Sequence, residues 1–290
     1  MNFEITTALF TQFADIAYRR AGIRLSPGKE ALVGSRVAKR IRALGLANPD
    51  EYLEYLVADG DGEELVHFLD VISTNFTSFF REPEHFDLLS HLVEHRLREG
   101  RTRLRFWSAA SSSGEEPYSM AITIAEAVKQ ASVNWRILAT DISSRVLARA
   151  QTGSYPASSL ASVSQPLRNR YFDLVDPHDT SEKSYQIIPS IGASVVFRRL
   201  NLSAPPFPMR GPMDAVFCRN VMIYFDRRVR QGLISNIEHL LAPDGLFVIG
   251  HSETLNGLDT GFRPLRPSVY VLSSCSHHQL GSSSAPREEP

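Results

Sequence analysis

Between residues 103 and 252 a strand-sized apolar run is followed by a segment of helical periodicity, again and again, and that pattern leaves few folds open. RLRFWSA (103–109) precedes the helix EPYSMAITIAEAVK (116–129), and WRILATDI (135–142) precedes SSRVLARAQ (143–151). MDAVFCRN (213–220), a helix near 227–241 and GLFVIGHS (245–252) continue the series. Strands that are apolar along their length, each followed by a helix, predict an α/β fold with a parallel sheet, because crossover helices cover both faces. SVYVLSS (268–274) reads as a last, antiparallel strand. Residues 153–200 interrupt the alternation with polar, Pro-containing sequence and the short β-like runs YQIIP and VVFRRL, which predicts a small inserted β subdomain. The tail at 275–290 has no periodicity and is expected to be disordered.

Residues 1–72 carry no strand signal. Helices are predicted near 6–21, 28–44, 49–58 and 62–72, separated by Gly22, Pro27, Gly45, Pro49 and Gly60. In the second of them Val33, Val37, Ile41 and Leu44 recur at helical spacing and should face a small core. The same stretch carries Lys29, Arg36, Lys39, Arg40 and Arg42, which read either as a solvated basic face or as a docking surface for an acidic partner helix. A linker and connecting helix at 73–102 join this all-α domain to the sheet domain at 103–274.

Formal net charge is −1, so no global field draws the chain to nucleic acid or anionic lipid. No apolar run is long enough to span a bilayer, and MNFEITTALF lacks the basic and apolar regions of an export signal. Cys218 and Cys275 do not suggest a disulfide framework. A cytoplasmic protein, with neither nucleic acid nor membrane as partner, is expected.

In an open parallel sheet, ligands sit beyond the carboxyl ends of the strands, near the reversal in strand order. The first strand runs into Ser108-Ala109-Ala110-Ser111-Ser112-Ser113-Gly114-Glu115-Glu116, where small residues allow close backbone approach and a helix start supplies free N–H groups. A phosphate loop would carry a Lys and would not tolerate two carboxylates. Acidic residues here suit a ligand bearing positive charge and hydroxyls, although a capping carboxylate also explains one Glu. Asp141 ends the second strand, where an acid can accept from both ribose hydroxyls or simply cap a turn. Asn201 and Asn220 also fall at strand ends. In the linker, Asn75 and Thr77 alternate with Phe76, Phe79 and Phe80, and Arg81 is a candidate anion clamp or a surface ion-pair partner.

Two further strings resemble sites of other kinds. His91-Leu92-Val93-Glu94-His95 fits a zinc-peptidase string, but it lies in an ordinary amphipathic helix without an evident third ligand, and no metal is expected. Gly250-His251-Ser252-Glu253-Thr254 approaches a nucleophile elbow, yet Thr254 replaces the second Gly, and the later His277 and His278 lie in the tail. A serine esterase is the weaker enzyme reading.

TNFTSFFRE, WSAASSSGEEPYSMA, ATDIS, FCRNVMIYFD and LFVIGHSE, in that order, resemble the signatures of the CheR family of chemotaxis receptor methyltransferases. The resemblance extends to about residue 274. It implies an all-α domain followed by a Rossmann-like S-adenosylmethionine methyltransferase domain with an inserted β subdomain. Carried over by position, it implies that Asn75, Thr77, Arg81, Glu116, Asp141, Asn201, Leu202, Asn220 and Val221 line the S-adenosylmethionine site, with Glu115 as the neighbouring alternative to Glu116. Ala110, Ser111 and Ser113 stand where many relatives have Gly, Cys and Thr. The implied reaction is methyl esterification of glutamate side chains on a methyl-accepting chemotaxis receptor by a monomer. Arg81 and Tyr224 are the candidate catalytic residues. A non-catalytic S-adenosylmethionine-binding scaffold is the alternative.

Overall fold

The computed structural model describes residues 3–60, 62–73, 77–129, 131–175 and 183–275. Four helices come first: α1 (Thr7–Ala21), α2 (Glu30–Leu44), α3 (Pro49–Asp59) and α4 (Glu63–Ile72). Their ends follow local chemistry. The Thr6 hydroxyl accepts the Leu9 N–H to start α1, and Gly22, at φ 69°, ends it in the left-handed region that a Cβ disfavours. Asn48 caps α3, whose first residue is Pro49. Phe13, Val37, Ile41, Tyr52 and Phe68 are buried together as the core of this part.

Two of the five basic residues assigned to a docking face turn inward. Arg40 donates to both carboxylate oxygens of Glu64, at 2.9 and 2.6 Å, while Tyr52 donates to Glu64 Oε1 at 2.6 Å. Arg36 donates to the carbonyls of Ile72 and Ser73 at 2.7 and 3.2 Å. Both guanidinium groups therefore hold α2 against α4, because Glu64 and the last carbonyls of α4 require partners once buried. Lys29, Lys39 and Arg42 remain exposed.

After α5 (Glu84–Arg98) the chain builds the sheet from β1 (Arg103–Ser108), β2 (Asn134–Asp141), β6 (Val195–Arg199), β7 (Met213–Phe217), β8 (Leu241–Val248), β9 (Phe262–Arg266) and β10 (Val269–Leu272). Crossover helices are α6 (Glu115–Val128), α7 (Ser144–Thr152) and α10 (Arg227–Leu240). The seven strands are ordered β6-β2-β1-β7-β8-β10-β9. Pairing is parallel from β6 to β8, whereas β10 is antiparallel to both β8 and β9. Nearly every residue of α6 is buried, as its apolar composition all round requires.

The insertion is a separate three-stranded antiparallel sheet, β3 (Ser154–Pro156), β5 (Ser184–Ile187) and β4 (Phe172–Val175), with α8 (Gln165–Tyr171) and α9 (Pro189–Gly192). It is smaller than the expected 153–200. VVFRR is β6, an edge strand of the main sheet whose register on β2 runs from Ile137↔Val195 to Asp141↔Arg199. Its mixed pattern suggested a subdomain strand because an edge strand buries less of its length than a central one. β9 gave no strand signal for the same reason. β8 starts at Leu241 rather than Gly245. The expected disorder of the tail concerns residues outside those described from 276 onward.

Candidate active site

After β1 the chain moves outward to β2 and β6, and then returns to the other side of β1 at β7, so strand order reverses between β1 and β7. A cleft opens there, partly open to solvent. Thr77, Arg81, Glu116, Asp141, Asn201, Leu202, Asn220, Val221 and Tyr224 all line it. Asn75 lies outside the described residues. Lys29, Arg36, Lys39, Arg40 and Arg42 are not among the lining residues.

The β1–α6 loop is shaped by its small residues. Gly114 has φ 99°, and a Cβ there would meet Tyr155 Oη at 2.6 Å and Ala150 Cβ at 2.9 Å. Glu116, in the first turn of α6, accepts from Ser108 Oγ at 2.7 Å and from the Arg219 guanidinium at 3.1 Å. Burial pushes its carboxyl above the usual range, against the pull of Arg219. Glu115 instead accepts from Ser113 Oγ and does not line the cleft.

Asp141, at the end of β2, accepts the backbone N–H groups of Ser112 at 2.9 Å and Ser143 at 3.0 Å. Burial raises its pKa, and the nearby Asp70 adds to the shift. Asp70 itself lies on α4, pairs with Arg145 at 2.7 Å and lines the same cleft. Asn201 is committed in part, because its side-chain amide donates to the Arg20 carbonyl at the end of α1.

The Asn220 loop is held by a residue whose role the sequence did not reveal. Glu253 accepts the N–H groups of Asn220, Met222 and Gly250 at 2.8, 2.7 and 2.7 Å. Asn220 itself sits at φ 57°, and a Cβ on Gly250 would fall 2.3 Å from its side-chain nitrogen. GHSE is therefore a strut under the cleft rather than a nucleophile elbow. Its Ser252 is exposed, and His251 pairs with Glu84 at 2.5 Å. The signal was a buried acid just after a strand, but two of its three partners, Asn220 and Met222, lie more than thirty residues away.

Arg219 was also missed. Its buried guanidinium reaches Glu116, Glu82 at 2.9 Å and the Arg81 carbonyl. It thereby ties the linker to the floor of the cleft. Among the described residues, the donor atoms grouped at metal-like spacing are those of Glu82, His85 and His251, within 4.8 Å, and not His91 and His95. Arg219 already neutralises Glu82, and the first turn of α5 presents its positive end there, so both disfavour a cation.

His85 carries a measurable consequence. It is 1% exposed, and burial, reinforced by Arg219, pushes its imidazole down to about 4 from 6.5. A lowered folded-state pKa means that unfolding takes up a proton between pH 6.5 and about 4, so this contribution to stability is present above pH 6.5 and is lost as pH falls. A shift of that size corresponds to about 3 kcal/mol. In denaturant titrations across this window His85→Gln should flatten the pH dependence by roughly that amount. An unchanged slope would remove His85 as its source.

Carboxylates at two successive strand–helix junctions, Glu116 at the start of α6 and Asp141 at the end of β2, in a cleft also lined by Ile23, Leu69, Ile142 and Leu202, fit a cationic adenosyl ligand better than a nucleoside phosphate. With the sheet order above, this defines the class: S-adenosylmethionine-dependent methyltransferases. Residues 75–271 match the CheR methyltransferase SAM binding domain, and residues 8–73 match the CheR methyltransferase all-alpha domain. The chain belongs to the CheR methyltransferase family. It is 40% identical to the chemotaxis protein methyltransferase of Salmonella typhimurium over 93% of this chain and 91% of that one. The Escherichia coli protein of the same description is 38% identical over 93% of this chain and 92% of its own length. That of Borreliella burgdorferi is 35% identical over 93% and 96%. Among the described residues no helix is long and apolar enough to cross a membrane.

Proposed function

We propose that this chain, a cytoplasmic monomer, esterifies glutamate side chains on a chemotaxis receptor. The observation that carries this reading is the state of the cleft's own acids. Asp70 pairs with Arg145, Asp141 accepts two backbone N–H groups, and Glu116 accepts from Ser108 and Arg219, so each is engaged in holding the site. Among the described residues, no His, Cys or Lys lines the cleft. Such a cleft suits an acceptor that needs no deprotonation. A glutamate, with an unperturbed pKa of about 4.3, is already ionised at pH 7.

S-adenosylmethionine, when bound, supplies the methyl group on a sulfonium. The chain's own work is to hold the reacting atoms in line and to exclude water from the acceptor carboxylate. Asp141 and Glu116 would hold the cofactor's hydroxyls and positive charge, with Thr77, Asn201, Leu202, Asn220 and Val221 around it and Asn75 beside Thr77 in sequence. Arg81 would anchor a carboxylate, and Tyr224 would donate a hydrogen bond to the acceptor. Lys29, Lys39 and Arg42 on α2 would attract the acidic receptor, whereas Arg36 and Arg40 act within the helical domain.

The test is incubation of the purified protein with S-adenosylmethionine and a receptor cytoplasmic fragment, followed by peptide mass spectrometry. Methyl groups on glutamate, released by mild base, are the expected result. Cofactor binding without transfer would instead support the scaffold reading.

A further inference from the structure

Chain segments some two hundred positions apart meet beside the cleft. The Arg24 N–H donates to the Tyr224 carbonyl at 2.8 Å, and Ile23 forms an isolated bridge with Phe225. Tyr18 donates to Asp226 at 2.8 Å, while the other Asp226 oxygen caps α10 through the Val229 N–H. Ala21, Ile23, Tyr224 and Phe225 line the cleft, so the residues flanking them border it.

Arg24 adjoins Ile23, Ile223 adjoins Tyr224, and Arg227 and Arg228 follow Phe225 after Asp226. Arg24, Arg227 and Arg228 are exposed, and among the described residues they form no salt bridge. Arg24 donates its N–H to the Tyr224 carbonyl, and Arg228 lies in the first turn of α10, whose cap Asp226 accepts from Tyr18 of α1, so the helical part and α10 each bring an arginine to the same seam. Asp226, the acid between them, is already committed to Tyr18 and to the helix cap. Ile223 is 54% exposed in the same turn as Tyr224.

We propose that Arg24, Arg227, Arg228 and Ile223 form a docking collar for the protein substrate, an acidic amphipathic helical segment. The inference rests on the glutamate reading above. Of the acids lining the cleft, Asp70 and Glu116 are ion-paired with Arg145 and Arg219, whereas Asp141 is held by backbone N–H groups and presents like charge to an approaching carboxylate. Positive charge fixed just outside the cleft offsets that repulsion and orients the segment, and Ile223 offers its apolar face a contact. This surface is distinct from α2, and it exists only where the two parts of the chain pack together.

The full-length double variant Arg24→Glu with Arg228→Glu tests it, with the receptor cytoplasmic fragment as substrate. At low salt kcat/KM should fall at least ~10-fold, mainly through KM, and the deficit should shrink at high salt. Affinity for S-adenosylmethionine by calorimetry and the melting temperature should stay close to those of the unsubstituted protein. Ile223→Ser should raise KM without changing the salt dependence. Unchanged kcat/KM for the double variant at low salt, while Lys29→Glu with Lys39→Glu impairs transfer, would overturn the collar and leave the glutamate reading standing. Failure of the unsubstituted protein to methylate the receptor would overturn that reading, and the collar with it.

Discussion

Arg219→Ala should lower the unfolding free energy by about 3–5 kcal/mol, the range for breaking a buried ion pair from one side. The Arg219 side chain is 2% exposed, and its guanidinium serves Glu116, Glu82 and the Arg81 carbonyl while lying 5.7 Å from the centre of the Phe86 ring. Removing it leaves two carboxylates facing one another without a counter-charge in a site where burial already disfavours ionisation. Arg219→Lys should be intermediate, since one ammonium cannot replace a planar fork that reaches three acceptors. The penalty should shrink as pH falls, because a protonated Glu116 no longer needs the guanidinium. Glu82, which Arg219 holds below the usual carboxylate range even though burial opposes this, would lose that assistance. Denaturant midpoints at neutral and acidic pH check both parts. An Arg219→Ala protein with unaltered midpoints would mean that the linker is held elsewhere.

Asp141→Ala should weaken S-adenosylmethionine binding by about 1.5–3 kcal/mol, roughly ten- to 150-fold, the cost of losing hydrogen bonds to a charged group. Asp141 lines the cleft, and two backbone N–H groups aim its carboxylate. Asp141→Asn, which keeps the shape and loses the charge, separates the ionic part from the hydrogen bonds. Because burial raises the pKa of Asp141, affinity for a cationic ligand should fall as pH drops through that raised range. The Asn variant should show less of this fall. Calorimetry over pH tests it, and equal affinities for all three proteins would take Asp141 out of the site.

Much of this molecule was legible without coordinates. Helix and strand limits follow from periodicity and end signals that involve neighbours a few positions apart. Thr6 with Leu9, Asn48 with Glu51, and Gly22 in its left-handed conformation are of this kind. The strand-end positions of Asp141 and Asn220, and the helix-start position of Glu116, were readable because a parallel sheet presents its strand ends to one side. Tertiary packing decided the rest. Arg36 and Arg40 looked identical to exposed Lys39 in sequence, yet they turned inward because α4 brought buried acceptors to them. VVFRR took its place at the sheet edge through pairing with β2, a partner more than fifty residues earlier. Glu253 and Arg219 acquired their roles only when loops distant in sequence met under the cleft. Periodicity and capping are short-range and leave their marks along the chain, whereas a buried charge is defined by whichever group the fold sets against it, and that pairing is written in no single segment.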